Sequence, residues 1–231
     1  CNPQGRVLAT ALIQFWNEDY YLILRSDLID DLIAWLSRYI LRSKVIIGKE
    51  EINIYGIGDY EKNNFDKSNI QSSNQSLKVL SIDKNRSIFL SHNDKEEQFQ
   101  TISKEDWITQ DIKSGLPLIN KINTIKYIPQ MLNLDKLNAI SFSKGCYTGQ
   151  EVVARVQHRG KIKQRMYKLA IDINVLLDEK SEIVNIDKKV GSILISHLNK
   201  NKCMALAVIN CSAIKDNLTV EGHKIKIEKL V

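Results

Sequence analysis

A thiol, an amine and two glycines meet within eight residues at Lys144-Gly145-Cys146-Tyr147-Thr148-Gly149-Gln150-Glu151. Two glycines four apart let the backbone bend and come close to a ligand. From Gly149 onward, Gln150, Glu151, Val152, Val153, Ala154, Arg155 and Val156 fit a helix whose first amides face the bend and favour an anion. Cys146 then lies beside Lys144 and near that helix start. Both lower a thiol pKa from the free value of about 8.5, so the spacing predicts a reactive thiolate. The alternative is a small cysteine packed in a tight turn. Tyr147 either covers a flat ring or fills the core. Gln130, after Ile128-Pro129, offers both a donor and an acceptor.

The elements that must position these residues are readable in outline. Arg6 to Phe15 and Tyr20 to Arg25 are β-rich and joined by Asn17-Glu18-Asp19, a hairpin pattern. A helix follows, with Ser26 as N-cap, Asp27, Asp30 and Asp31 at its positive end, and Arg38 and Arg42 at its negative end. Leu28, Ile29, Leu32, Ile33, Leu36 and Ile40 form its apolar stripe, with Trp35 beside it, and are expected in the core. Short strands are expected at Lys44 to Gly48, Glu51 to Tyr55, Leu77 to Ile82 and Arg86 to Ser91. The polar stretch 59–76 reads as a long surface loop. Ser103-Lys104-Glu105-Asp106 resembles a capping box opening a helix that Gly115 and Pro117 close. Beyond residue 160 come β-rich runs at Met166 to Ile171, Val190 to Ser196, Met204 to Asn210 and Lys224 to Val231, which imply a small antiparallel barrel or sandwich.

Composition sets the outer bounds. The chain has 231 residues with 43% hydrophobic and 26% charged, only 3 Pro and 10 Gly, which leaves disorder and Gly-rich linkers without support. Its net charge of +6 is the surplus of residues 144–168, where Lys144, Arg155, Arg159, Lys161, Lys163, Arg165 and Lys168 face only Glu151. That local excess suggests an anionic partner, against the alternative of a solvated basic face. Cys1, Cys146, Cys203 and Cys211 show no CxxC and no Cys/His ligand spacing, so no metal site is read within the chain, and the expected compartment is reducing, the cytoplasm. Cys203 and Cys211 are read as packing residues. No apolar run is long enough to span a membrane. The first residue is Cys rather than Met, which suggests that a segment upstream is missing from the sequence.

KGCYTGQE, continuing as VVAR and a Gly-Lys basic stretch, closely resembles the signature of the YgfZ-type tRNA-modifying and iron–sulfur maintenance proteins, which are similar in fold to the glycine-cleavage T-protein. CNPQGRV resembles the family's opening GR or GK strand, and IPQMLNL its segment ahead of the signature. The resemblance implies an α+β, three-domain T-protein-like fold: a split folate-binding domain of residues 1–43 and 105–158, an inserted α+β domain of residues 44–104, and a C-terminal antiparallel β-barrel of residues 159–231. Tetrahydrofolate is the implied cofactor, with iron–sulfur client or assembly proteins as partners. Family members usually carry a further N-terminal stretch with an LQGQ-like helix start, which is absent here.

Carried onto these positions, the resemblance makes Cys146 the functional thiol and Lys144 its electrostatic partner. Gln130, Tyr147, Gly145, Gly149, Gln150, Glu151 and Arg155 become candidate folate-pocket residues. Gln130 falls where the T-protein has a pterin-binding glutamate and still offers the donor and acceptor a pterin edge requires. Where that enzyme has an aspartate, this chain reads Gly5-Arg6-Val7-Leu8-Ala9-Thr10, with no carboxylate. The expected function is therefore a folate-dependent accessory protein for iron–sulfur enzymes, including tRNA-thiolating ones. The alternatives are a folate-dependent aminomethyl or one-carbon transferase and, ranked last for want of an aromatic platform, an RNA-binding module.

Overall fold

The computed structural model describes residues 1–58, 77–83, 86–92, 101–228 and 230. They fall into two compact units: residues 1–10, 24–32 and 109–231, and residues 11–23 and 33–108. The loop expected at 59–76 lies outside the described residues.

In the second unit, β1 (Leu12–Trp16) and β2 (Asp19–Ile23) pair antiparallel around Asn17 and Glu18, both at positive φ, the two-residue turn that matches strand twist. Alternation sends Trp16 to one face, where Leu12, Tyr21 and Ile23 join it against Ile88 and Leu90. β3 (Asn53–Gly58), β4 (Leu77–Ser81) and β5 (Arg86–Ser91) form a sheet in the order β3-β5-β4. β5 is buried along its length, and its Arg86 is held by Asp83 at 2.8 Å and by the Trp107 ring at 4.8 Å. Lys44 to Gly48 forms no strand, and Arg6 to Ala11 runs as loop ahead of a shorter β1.

The helix expected from Ser26 begins as a 3-10 turn, Ser26–Leu28, and becomes α1 only at Ile29–Ser37. The N-cap is Arg25 rather than Ser26, with no side-chain capping bond. Asp27 ties the turn to a remote segment, its carboxylate accepting from Lys121 N at 3.1 Å and Arg25 Nε at 3.3 Å. Partial burial opposes the charge on Asp27, but these bonds outweigh it and hold the carboxyl below its usual pKa. Apart from Leu28, the apolar stripe is half-buried rather than core, and Ile40, Arg38 and Arg42 lie past the helix end. α2 (Lys104–Ser114) follows its sequence signals closely. Ser103 Oγ accepts from Asp106 N at 3.0 Å, and Gly115 at φ +67 ends the helix with Leu116 N donating to Asp111 O and Gly115 N to Ile112 O.

The first unit is dominated by a closed antiparallel barrel in the order β10-β11-β6-β9-β8-β7. Its strands are β6 (Gln164–Ile171), β7 (Glu182–Asn185), β8 (Lys188–Asn199), β9 (Lys202–Asn210), β10 (Leu218–Val220) and β11 (His223–Glu228). Leu169, Ile171, Ile183, Ile193, Ala205, Ala207 and Ile209 fill the interior. β7 and β10 escaped the sequence reading, yet their pairing at Leu218↔Asn185, Thr219↔Val184 and Val220↔Ile183 is what closes the barrel. Mixed helices and strands with this barrel make an α+β architecture. Among the described residues, no helix is long and apolar enough to cross a membrane.

Candidate functional site

In the first unit, the three segments that carry the resemblance come together. α3 (Gln150–Arg159) starts at Gly149, which caps it at φ +82 with no side-chain help. Gln150 folds back so that its Oε1 accepts from Tyr147 N at 3.3 Å, while Gln150 N donates to Tyr147 O at 3.0 Å. The opening residues make a turn in which Gly5 N donates to Asn2 O and Arg6 N to Asn2 Oδ1, and Val7 N donates to Tyr127 O while Val7 O accepts from Ile125 N. The Arg6 guanidinium donates to Lys126 O. This turn lies directly on the start of α3. A Cβ on Gly149 would sit 2.2 Å from Asn2 O, and one on Gly5 would sit 2.9 Å from Val152 Cβ. Both glycines are needed for close backbone approach.

IPQMLNL forms a 3-10 turn, Pro129–Leu132, ended by Asn133 in the left-handed region. Gln130 is fully buried there and its Nε2 donates to Val153 O of α3 at 2.8 Å. That carbonyl fixes the amide orientation, since the reverse would set two acceptors together. Gln130 Oε1 is consequently left as a buried acceptor without a partner among the described residues. Beneath it, Arg165 donates to Gln130 O and Asn133 Oδ1, each at 3.1 Å, and bidentately to Asp135 at 2.7 and 2.8 Å. Asn133 Nδ2 donates to Met166 O. This clasp of Arg165, Asn133 and Asp135, which bolts the turn to β6, was not read from the sequence. Its signals were an Asn suited to the left-handed region and an Asp two residues on.

Other candidates lie at the surface. Cys146 and Gly145 are exposed, and nothing comes within 4 Å of a Cβ built on Gly145. Lys144 Nζ lies 4.7 Å from the Tyr147 ring centroid, a cation–π contact, and burial pushes the half-buried Tyr147 phenol up in pKa. Glu151 and Arg155 pair with each other at 2.7 Å, one turn apart on the exposed face of α3. The basic segment also differs from its sequence reading. Arg155 is paired with Glu151 inside the segment, and Arg165 and Lys168 are paired with Asp135 and Glu228 from outside it, so two of the six surplus charges are neutralised by side chains that composition could not place. Among the described residues no group of three or more His, Cys, Asp or Glu is placed to hold a metal ion.

No family model matches the chain. The "tRNA-modifying protein YgfZ" of Hamiltonella defensa is 36% identical over 190 residues, covering 73% of this chain and 56% of that protein. Its namesake in Yersinia enterocolitica is 30% identical over 196 residues, covering 75% of this chain and 59% of that one. The chain is a relative of the YgfZ proteins. It spans less than two thirds of the length of these YgfZ relatives. Among solved structures, glycine cleavage system aminomethyltransferase T from Bartonella henselae superposes with a TM-score of 0.75 at 9% identity, covering 99% of this chain and 73% of that one. The T-protein-like fold expected from the YgfZ signature is thus the fold of this chain.

Proposed function

We propose that the chain is a tetrahydrofolate-binding accessory protein that acts in the cytoplasm in the maturation or repair of iron–sulfur enzymes, including those that thiolate tRNA. The observation that carries the folate part is Gln130. A fully buried amide whose Oε1 has no partner costs roughly 1–3 kcal/mol unless a ligand or water donates to it. The N–H edge of a pterin is such a donor, so the residues present fit the group. Gln130 would hold that edge, with Tyr147 covering the ring, Gly145 and Gly149 giving backbone access, and Gln150, Glu151 and Arg155 at the rim. Bound tetrahydrofolate supplies one-carbon chemistry. Cys146, an exposed thiol, would be the functional group and Lys144 its neighbouring cation. Gly5 to Thr10 contains no carboxylate, which argues against aminomethyl transfer. The division into residues 1–43 with 105–158, residues 44–104 and residues 159–231 belongs to this proposal. The iron–sulfur and tRNA parts rest on the signature and on the name of the YgfZ relatives.

Titration calorimetry with tetrahydrofolate tests the first part. The protein binds, and Gln130→Leu weakens binding by about tenfold or more, the loss of one buried hydrogen bond to a ligand. A folded protein that takes up no heat of binding removes folate from the proposal. Complementation of a strain lacking the function by wild type and by Cys146→Ser, read out as activity of a radical tRNA-thiolating enzyme, tests the second.

A further inference from the structure

After the ion pairs are assigned, Lys144, which lies on the Tyr147 ring, and a cluster of three further cations are left over in the basic segment. Arg159, Lys161 and Lys163 are exposed, consecutive on alternate positions, and without an ion-pair partner among the described residues. Arg159 is the last residue of α3, where the negative helix end accounts for one cation. Lys161 and Lys163 lie beyond it, after Gly160 has turned the chain extended at φ −99 and ψ 148, and the helix does not account for them. The run is also held in place: Lys163 O accepts from Cys211 N at 2.8 Å, which ties it to the loop carrying exposed Lys215. Of the acids nearest the run in sequence, Glu151 is paired with Arg155 and Asp172 with Lys202. His158, exposed just before the run, meets Phe142 edge-on at 6.1 Å.

We propose that the unpaired run Arg159–Lys163 is a docking surface for the phosphate backbone of RNA. This deepens the tRNA-linked part of the reading above and rests on it. Fixed, solvated cations spaced along an extended segment fit a linear polyanion, and such contacts position a nucleic acid without reading its sequence. Paired Arg155, Arg165 and Lys168 take no part.

The test is binding of an unmodified tRNA transcript to the full chain between about 50 and 200 mM salt. Compared are wild type, Arg159→Ala/Lys161→Ala/Lys163→Ala, and a matched loss of three exposed charges, Lys188→Ala/Lys224→Ala/Lys226→Ala. Expected is wild-type affinity that falls steeply with salt. The first variant binds at least about tenfold more weakly with a log–log salt slope shallower by roughly 2, while the matched variant stays close to wild type. Should the first variant melt below wild type, Lys161→Gln/Lys163→Gln gives the same comparison with smaller disturbance. No RNA binding by wild type at low salt, or equal loss in the two triple variants, overturns the proposal. Tetrahydropteroylpentaglutamate titrated into the same proteins separates it from the folate reading. RNA binding without folate binding leaves the docking surface standing and removes folate. Loss of pentaglutamate affinity with RNA binding retained assigns the run to a carboxylate tail and overturns the proposal.

Discussion

Cys146, Cys203 and Cys211 occupy three environments that chemistry can tell apart. Cys146 is exposed, Cys203 is buried among barrel residues where burial pushes its thiol up, and Cys211 is half-buried against the Tyr167 hydroxyl. Of these three, iodoacetamide at neutral pH therefore labels Cys146 first, Cys211 next and Cys203 only on unfolding, as peptide mass spectrometry reads directly; early labelling of Cys203 contradicts this placement. Tyr167 carries a pH prediction. Burial first, then the hydrogen bond and charge of Cys211, raise its phenol to about 12, against roughly 10 in the unfolded chain. The folded state thus favours the protonated phenol. Its contribution to stability is complete below about pH 10 and is lost as the pH rises to about 12. Phenolate absorbance of wild type minus Tyr167→Phe gives the titration, and a midpoint near the free value contradicts the burial of this phenol. At this scale the sequence revealed the reactive-residue types but not their partners. Nothing in Lys144-Gly145-Cys146-Tyr147 says that the lysine lies on the tyrosine ring, because that contact is fixed by the path of the bend.

The elements around the signature hold by backbone proximity and one largely buried ion pair. Gly149 has φ +82 and backbone atoms of Asn2 and Gly5 where a Cβ would go, so Gly149→Ala loses at least about 1–3 kcal/mol, whereas Gly145→Ala, in open space, changes the melting temperature little. Equal melts for the two variants contradict the docking of residues 1–7 on α3. Arg165 is clasped at four acceptor atoms with side chains largely buried, so Arg165→Ala costs about 3–5 kcal/mol and Arg165→Lys fails to restore it, since an ammonium cannot reproduce the two-pronged bond to Asp135. Denaturant melts of both variants check this. The sequence showed α2 nearly to the residue because Ser103 and Gly115 mark its ends locally. It missed β7 and β10 because strands of four and three residues leave too few positions for alternation to register, and their pairing is set by the barrel.

Across the whole molecule, the fully buried side chains come from segments remote in sequence, strands of the barrel prominent among them. Ile183, Ile193, Leu169 and Ala205 come from four different strands and are all fully buried. α1, whose stripe looked like core in the sequence, buries none of its residues. A periodic pattern reports only that one face is apolar, and how deeply that face is covered depends on what packs upon it. Stability should follow the contacts rather than the pattern. Ile193→Ala empties a site with no solvent exposure and costs about 2–5 kcal/mol, whereas Leu36→Ala on half-buried α1 costs less than about 1.5 kcal/mol. Native-state hydrogen exchange gives the same ordering without mutation. The amides of β6, β8 and β9, paired along their length, exchange last, and those of α1 exchange early through local opening. Protection in α1 equal to that in β9 would mean that its apolar face is covered in solution as fully as the barrel interior, and would overturn this ranking.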